Sequence, residues 1–341
     1  MSKKTAPHKA AVVGIRDVAR EAGVSTMTVT NAFKYPDKVV AETRNRVIEV
    51  AQRLNYVPNL VAAGFSSGKT KVVAAITPSI RNSNFAGMIM GLEHELEKNG
   101  YHLIVSVVET PAREYDAVMA VIGRRVDGIV LTGVDRDDKT RRLLQQTGIP
   151  IVETWNLSGP FVDIGVGFST QTAAREATQI MVDKGLSNIG VAGYDTHGNK
   201  RFQERLDGFL EALTLAGLRT DLIATVPGWS GFSGGKDALE RLHAIEPKLD
   251  GVFCFTDVLA AGVIFECMRK GINVPKDLAV VGYGDYEIAA ELPPGLTTVH
   301  TPGDLIGEHA ARMVMARCRG EVQDIRVVDV GYNIVVRGST G

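Results

Sequence analysis

Apolar residues near the start of the chain recur at the spacing of an amphipathic helix. This first set consists of Ile15, Val18, Ala19 and Ala22. Gly23 follows, and glycine adopts a left-handed turn between two helices without steric cost. Ser25 then caps a second helix through its hydroxyl. The pattern predicts a helix-turn-helix, whose second helix would lie in a DNA major groove; an alternative is two short helices in any small helical domain.

A third helix is predicted from Glu42 to Leu54, where Val47 and Ala51 contribute to an apolar stripe that can close a three-helix core. Pro58 then begins a short run of small residues that is too short to persist as a helix alone in water. The sequence therefore predicts a disordered tail over residues 1–13, a helix-turn-helix domain over 14–57, a hinge helix and linker over 58–71, and a larger domain over 72–341.

Beyond residue 72, β-branched runs alternate with amphipathic helical stretches, which predicts parallel sheets covered by helices. The predicted strands are 72–77, 102–107, 128–131, 150–153, 189–192, 223–226, 251–255 and 279–283. The predicted helices include 85–99, 172–184, 205–216 and 258–270. The fold class is thus a helical headpiece on an α/β body.

Ligands of open parallel sheets bind beyond the carboxyl ends of the strands. The loops that follow the predicted strands are rich in polar residues with a few aromatic ones. The candidate effector-binding residues there are Ser79, Phe85, Arg201, Arg205, Trp229, Thr256, Asp257 and Asp285. Hydroxyl groups need donors and acceptors while aromatic rings cover C–H surface, so this composition favours a small polyol.

The charge is divided unevenly along the chain. Residues 1–70 carry eleven Lys or Arg against five Asp or Glu, and the remainder carries 27 against 34. Because cationic side chains supply most of the sequence-independent affinity for DNA, the basic first segment supports the helix-turn-helix interpretation.

Composition argues against several other classes of protein. Cys254, Cys267 and Cys318 are widely spaced, so neither a disulfide framework nor a metal site is predicted, and no cofactor is expected. We find no signal peptide and no membrane-length apolar run, which predicts a cytoplasmic protein without a membrane partner. A sugar-modifying enzyme and an exported transport-type binding protein are the alternatives. The histidines are scattered without a nucleophile elbow, and the first segment is basic rather than an export signal.

The first 65 or so residues resemble the headpiece and hinge of the lactose-repressor (LacI-type) family of bacterial transcription regulators, and the resemblance extends over the full chain. It implies that the DNA-binding residues are Thr26, Met27, Thr30, Asn31, Asn59, Ala62 and Phe65. Many relatives have Ser-Arg where this chain has Thr30-Asn31, and asparagine pairs best with adenine. Phe65 stands where the family usually has a leucine that wedges into the minor groove. Packing roles are the alternative for Met27 and Phe65.

For the body, the resemblance implies two Rossmann-like lobes similar to periplasmic sugar-binding proteins, with the chain crossing between them near 165, 292 and 321. It also implies that Arg205 holds the effector and that Thr256, Asp285 and Trp229 lie at or beside contact positions. Structural roles are the alternatives to effector contact: Trp229 packs in the core, Arg201 is solvated, and Asp257 caps a helix.

Two arginines converging on one cleft favour a ligand with a carboxylate. Segments such as Leu249 to Cys254 are similar to the gluconate-operon repressor branch of the family. The sequence therefore predicts a homodimeric repressor that binds a near-palindromic double-stranded operator and responds to gluconate or a related sugar acid. A neutral sugar or a nucleobase is the alternative effector.

Overall fold

The computed structural model describes residues 13–57, 69–81, 83–195, 199–228, 230–321 and 324–341. It divides into two compact units, Met1–Thr70 and Lys71–Gly341. The predicted tail over 1–13 and hinge helix over 58–71 lie outside the described residues, apart from residues 13 and 69–71.

The first unit contains three helices. They are α1 (Ile15–Ala22), α2 (Thr26–Lys34) and α3 (Ala41–Arg53). Gly23 has φ 65° and ends α1 in the left-handed conformation, and the Ser25 hydroxyl accepts a hydrogen bond from the Thr28 backbone N–H at 3.1 Å. Val18, Val29 and Val47, one from each helix, are fully buried in the core. The predicted turn and cap are therefore confirmed.

The second unit contains two six-stranded sheets, and each anchors one lobe. Their strands are β1 (Val72–Thr77), β2 (His102–Val107), β3 (Gly128–Thr132), β4 (Ile151–Asn156), β5 (Ile164–Phe168), β6 (Ile189–Tyr194), β7 (Ile223–Val226), β8 (Gly251–Cys254), β9 (Ala279–Gly284), β10 (Thr297–His300), β11 (Val327–Asp329) and β12 (Asn333–Val335). The first sheet has the order β11-β5-β4-β3-β1-β2 and the second has the order β12-β10-β9-β8-β6-β7. Neighbouring strands are parallel except that β12 runs antiparallel to β10.

Helices cover both sheets, as the predicted alternation requires. Those of the first lobe are α4 (Ser83–Lys98), α5 (Glu114–Gly123), α6 (Asp138–Gln146) and α12 (Gly303–Cys318), and those of the second are α7 (Thr170–Asp183), α8 (Lys200–Leu215), α9 (Gly231–Ile245), α10 (Asp257–Lys270) and α11 (Glu287–Glu291). Close packing of α8 on α7 depends on Gly208, because a Cβ there would lie 2.2 Å from the Gln171 carbonyl oxygen. This contact fixes the helix that carries Arg201 and Arg205.

The chain crosses between the lobes three times. The crossings lie between β5 and α7, between β10 and α12, and between β11 and β12. The first agrees with the expected position near 165. The second and third correct the expected positions near 292 and 321. After Leu292 the chain still adds β10 to the second sheet, and after Glu321 it still adds β11 to the first.

Candidate functional site: a cleft between the lobes and a helical DNA-binding face

An aromatic pair forms the first-lobe wall of the candidate cleft. Phe85, in the first turn of α4, packs edge-on against Trp155 of β4 with ring centroids 5.2 Å apart. Trp155 has φ 81°, which is rare for a residue with a side chain and marks local strain of the kind that collects at functional sites. Its indole N–H donates to the Met88 sulfur at 3.1 Å. The strained residue thus braces Phe85 and sets the direction of the next residue, Asn156.

Arg201 extends from α8 of the second lobe to this wall. Its guanidinium carbon lies 5.1 Å from the centroid of the Phe85 ring, within cation–π range. Removal from water, reinforced by repulsion from Arg205, lowers the pKa of Arg201 to about 10. The side chain remains cationic at neutral pH. The structure therefore places Arg201 against the first lobe rather than in open solvent.

Arg205, one turn further along α8, is held by its own lobe. Its Nη1 donates to the Phe255 carbonyl at 2.5 Å, and its guanidinium carbon lies 3.8 Å from the centroid of the Tyr283 ring. Its Nε is buried and has no hydrogen-bond partner among the described residues. A buried donor without an acceptor costs roughly 1–3 kcal/mol, so this atom is suited to an incoming oxygen.

Glu204 is a cleft residue that the sequence reasoning missed. It is 7% exposed, and it links the lobes by accepting hydrogen bonds from the Asn156 amide at 2.7 Å and from the Ser158 hydroxyl. The available signals were a carboxylate directly before Arg205 and a polar residue at the end of β4. Neither signal indicates pairing, because the partners are distant in the chain.

Thr256 and Asp257, at the start of α10, are engaged within the second lobe. The Thr256 hydroxyl accepts from the Leu259 backbone N–H at 3.3 Å and lies 3.3 Å from the Tyr194 hydroxyl. The buried Asp257 carboxylate accepts from the Tyr286 N–H at 2.7 Å and the Thr298 hydroxyl at 2.5 Å. These contacts position the loops around the cleft, and direct effector contact by either residue stays a prediction.

Asp285 and Ser79 are also tied to neighbouring groups. Asp285, at φ 51°, pairs with Arg337 Nη2 at 2.8 Å and lies 3.0 Å from His300 Nδ1. The Ser79 hydroxyl accepts from the Arg81 backbone N–H at 3.0 Å. The geometry thus brings Phe85, Arg201 and Arg205 together and leaves Ser79 and Asp285 in local networks. Trp229 lies outside the described residues.

The candidate DNA-binding residues occupy the start and middle of α2. Met27 is 67% exposed, so its side chain lies outside the headpiece core, and Thr26 is exposed beside it. Thr30 donates its hydroxyl to the Thr26 carbonyl at 3.0 Å, and Asn31 is half-buried. Asn59, Ala62 and Phe65 lie outside the described residues.

Two further properties concern the described part of the chain alone. It contains no group of three or more His, Cys, Asp or Glu side chains that could hold a metal ion. None of its helices combines the length and apolar character that crossing a membrane demands.

Two families match separate parts of the chain. Residues 14–59 match the bacterial regulatory proteins of the lacI family, and residues 178–340 match the periplasmic binding protein-like domain. A helix-turn-helix joined to such a body defines the protein as a transcriptional regulator. The chain belongs to the LacI family of bacterial transcriptional regulators, whose members bind operator DNA.

Individual relatives match over nearly the full length. The chain is 30% identical over 326 residues to the HTH-type transcriptional regulator GntR of Escherichia coli (strain K12), covering 95% of this chain and 98% of that protein. A crystal structure of a LacI family regulator from Silicibacter pomeroyi has a TM-score of 0.90 at 28% identity, covering 96% and 99%. The structure of the regulator CelR in complex with cellobiose has a TM-score of 0.71 at 27% identity, covering 96% and 99%.

Proposed function

We propose that this regulator is a cytoplasmic homodimer that represses a carbohydrate-catabolism operon and responds to gluconate or a related sugar acid. A near-palindromic operator suits a dimer that presents two copies of α2 to successive major grooves. We assign no catalytic reaction to the chain. Its effector controls operator affinity through the relative position of the lobes.

The observation that carries the sugar-acid assignment is the pair of arginines on α8. Arg201 and Arg205 lie one turn apart, and burial together with repulsion from Arg205 lowers the pKa of Arg201. A carboxylate between them relieves that repulsion and accepts charge-assisted hydrogen bonds. The buried Nε of Arg205 supplies a donor that no described residue uses. The Phe85 ring, against which Arg201 packs, makes the neighbouring wall of the cleft apolar.

A neutral sugar is the second candidate, because the similar regulator CelR has been crystallised with cellobiose. Arginine can also donate to hydroxyl groups, but those bonds lack the added strength of a charged acceptor. A nucleobase is the third candidate. The comparison of gluconate, glucose and guanine separates the three chemical classes.

Isothermal titration calorimetry of the full chain with these three compounds tests the effector. We expect gluconate to bind and Arg205→Ala to weaken it by roughly tenfold to 150-fold, because a hydrogen bond to a charged group contributes about 1.5–3 kcal/mol. Arg269→Ala is the matched control, since Arg269 is an exposed arginine of α10 that pairs with Glu266. Binding of glucose or guanine in place of gluconate contradicts the sugar-acid assignment.

Selection of duplexes from a random library, followed by fluorescence anisotropy, tests DNA recognition. Asn31→Ala should lower discrimination at one adenine position by about 1–3 kcal/mol. Gluconate should shift the operator affinity by about 1–3 kcal/mol in either direction, as coupled sites do. An affinity that is the same for all duplexes, or that gluconate leaves unchanged, contradicts the proposed regulation.

A further inference from the structure

Glu204 places a negative charge inside a cleft that the two arginines make positive. It occupies the α8 position directly before Arg205 and three residues after Arg201. Its carboxylate contributes to the electrostatic environment of Arg201. Both of its oxygens face the first lobe, where Asn156 and Ser158 donate to them.

The charges around this part of the cleft leave one positive charge in excess. Arg201 and Arg205 are cationic, and Glu204 offsets one of them. At the rim, Asp135 accepts from the Lys200 backbone N–H and adds a second negative charge that acts on Arg201, and the Lys200 ammonium, which donates to the Ser158 carbonyl at 2.8 Å, adds a third positive charge.

Two other carboxylates of the second lobe have partners of their own. Asp285 pairs with Arg337 and contacts His300, while Asp257 is held by hydrogen bonds from Tyr286 and Thr298. Burying a charge is costly unless it is paired, so the excess positive charge around Arg201 and Arg205 favours one ligand carboxylate.

A second polar group, beside Glu204, indicates which hydrogen-bonding groups the rest of the ligand carries. The Asn156 Oδ1 atom is buried and accepts no hydrogen bond among the described residues. Glu204 and Asn156 together present acceptors, and acceptors require donors. Hydroxyl groups fit this side of the cleft, whereas a carboxylate does not.

Building on the proposed sugar-acid effector, we propose that Glu204 is a specificity-determining residue that restricts the cleft to acids with a single carboxylate and hydroxyl groups along the rest of the chain. One carboxylate of the ligand pairs with Arg201 and Arg205. A second one meets the like charge of Glu204 and the unpaired Asn156 oxygen. The cleft therefore accepts aldonic acids and rejects the corresponding dicarboxylic acids.

The test compares gluconate with glucarate, which has the same six-carbon hydroxy chain but a carboxylate in place of the terminal CH₂OH. Calorimetry of the full chain measures the dissociation constant of each acid for the unaltered protein and for Glu204→Gln. We expect the unaltered protein to favour gluconate by roughly tenfold to 100-fold, since like charges a few ångströms apart repel at this scale in partly buried sites. In Glu204→Gln the preference should fall by at least about tenfold.

Asp207→Asn is the matched control, because Asp207 lies on the same helix and its carboxylate accepts from the exposed Gln203 at 2.8 Å. It should leave the preference unchanged. Glucarate binding within twofold of gluconate in the unaltered protein overturns this inference while the sugar-acid function stands, and this comparison needs no variant to fold. An unchanged preference in a folded Glu204→Gln protein also overturns it. If neither acid binds, the proposed function fails and this inference with it.

Discussion

Asp257 has a fully buried carboxyl group, and its replacement by asparagine should change how the stability of the protein depends on pH. Burial raises the pKa of Asp257 from the ordinary value of 3.8 to about 6, against the opposing effect of the hydrogen bonds from Thr298 and Tyr286. The folded state therefore binds a proton more tightly than the unfolded state does. The contribution of Asp257 to stability is greatest below pH 4 and is lost as the pH rises through about 6.

The size of this effect follows from the two pKa values. Linkage gives a cost of about 1 kcal/mol at pH 4.5 and about 3 kcal/mol at pH 7, relative to strongly acidic solution. The amide side chain of the Asp257→Asn variant does not titrate and incurs no such cost. The difference in unfolding free energy, unaltered protein minus Asp257→Asn, should therefore fall by about 2 kcal/mol between pH 4.5 and pH 7.

Urea denaturation of both full-length proteins at several pH values measures this difference. The asparagine amide matches the two hydrogen-bond donors less well, but this adds the same amount to the free-energy difference at every pH. Asp277→Asn is a control of opposite sign. Hydrogen bonds from the Asn273 backbone and side chain lower the pKa of Asp277, so its contribution to stability is present at neutral pH and is lost on acidification. A difference for Asp257→Asn that stays flat or rises with pH would refute the reasoning.

Three further predictions concern stability and share the same denaturation assay, with hydrogen exchange of α2 amides for the first. Ser25→Ala removes the cap of α2 and should destabilise the headpiece by about 1 kcal/mol; unaltered exchange rates would contradict the role of the cap. Gly208→Ala should destabilise the second lobe by roughly 1–3 kcal/mol through overpacking. A Cβ at Gly123 meets no atom within 4 Å, so Gly123→Ala should not cause overpacking. Equal effects of the two substitutions would contradict the close approach of α7 and α8. Glu153→Ala removes the 2.5 Å partner of the buried Arg136 and leaves it only Glu114 at 3.4 Å among the described ion pairs, so it should cost roughly 1–3 kcal/mol. A loss below about 0.5 kcal/mol would show the pair with Glu153 to be dispensable.

Local signals in the sequence were sufficient for the headpiece and for most of the sheets. Gly23 and Ser25 act on their immediate neighbours, so the turn and cap could be predicted from residue type alone. The eight predicted strands are all present. The four strands that were missed have weaker patterns: β5 contains two glycines, β10 has one aliphatic residue among its four, and β11 and β12 have only three residues each. Strands this short depend on partners far along the chain.

The candidate site was likewise predictable only where it does not depend on partners far along the chain. Arg205 could be nominated through the resemblance to the lactose-repressor family, and Arg201 because it is a second cation in the same segment after a strand. Glu204 was missed because its partners, Asn156 and Ser158, belong to the other lobe. Asp257 could be proposed as a ligand contact, but the sequence does not reveal that Thr298 occupies one of its oxygens.

The three crossings between the lobes affect how the protein is completed during synthesis. When residues up to Phe168 have left the ribosome, all residues of β1 to β5 have been synthesised. The surface of α4 that packs against α12 nevertheless remains exposed until residues 303–318 emerge. The last strands, β11 and β12, then close one edge of each sheet. A polypeptide cut short before Val327 therefore lacks an edge strand in both lobes, rather than keeping one intact lobe, and its uncovered edges invite aggregation.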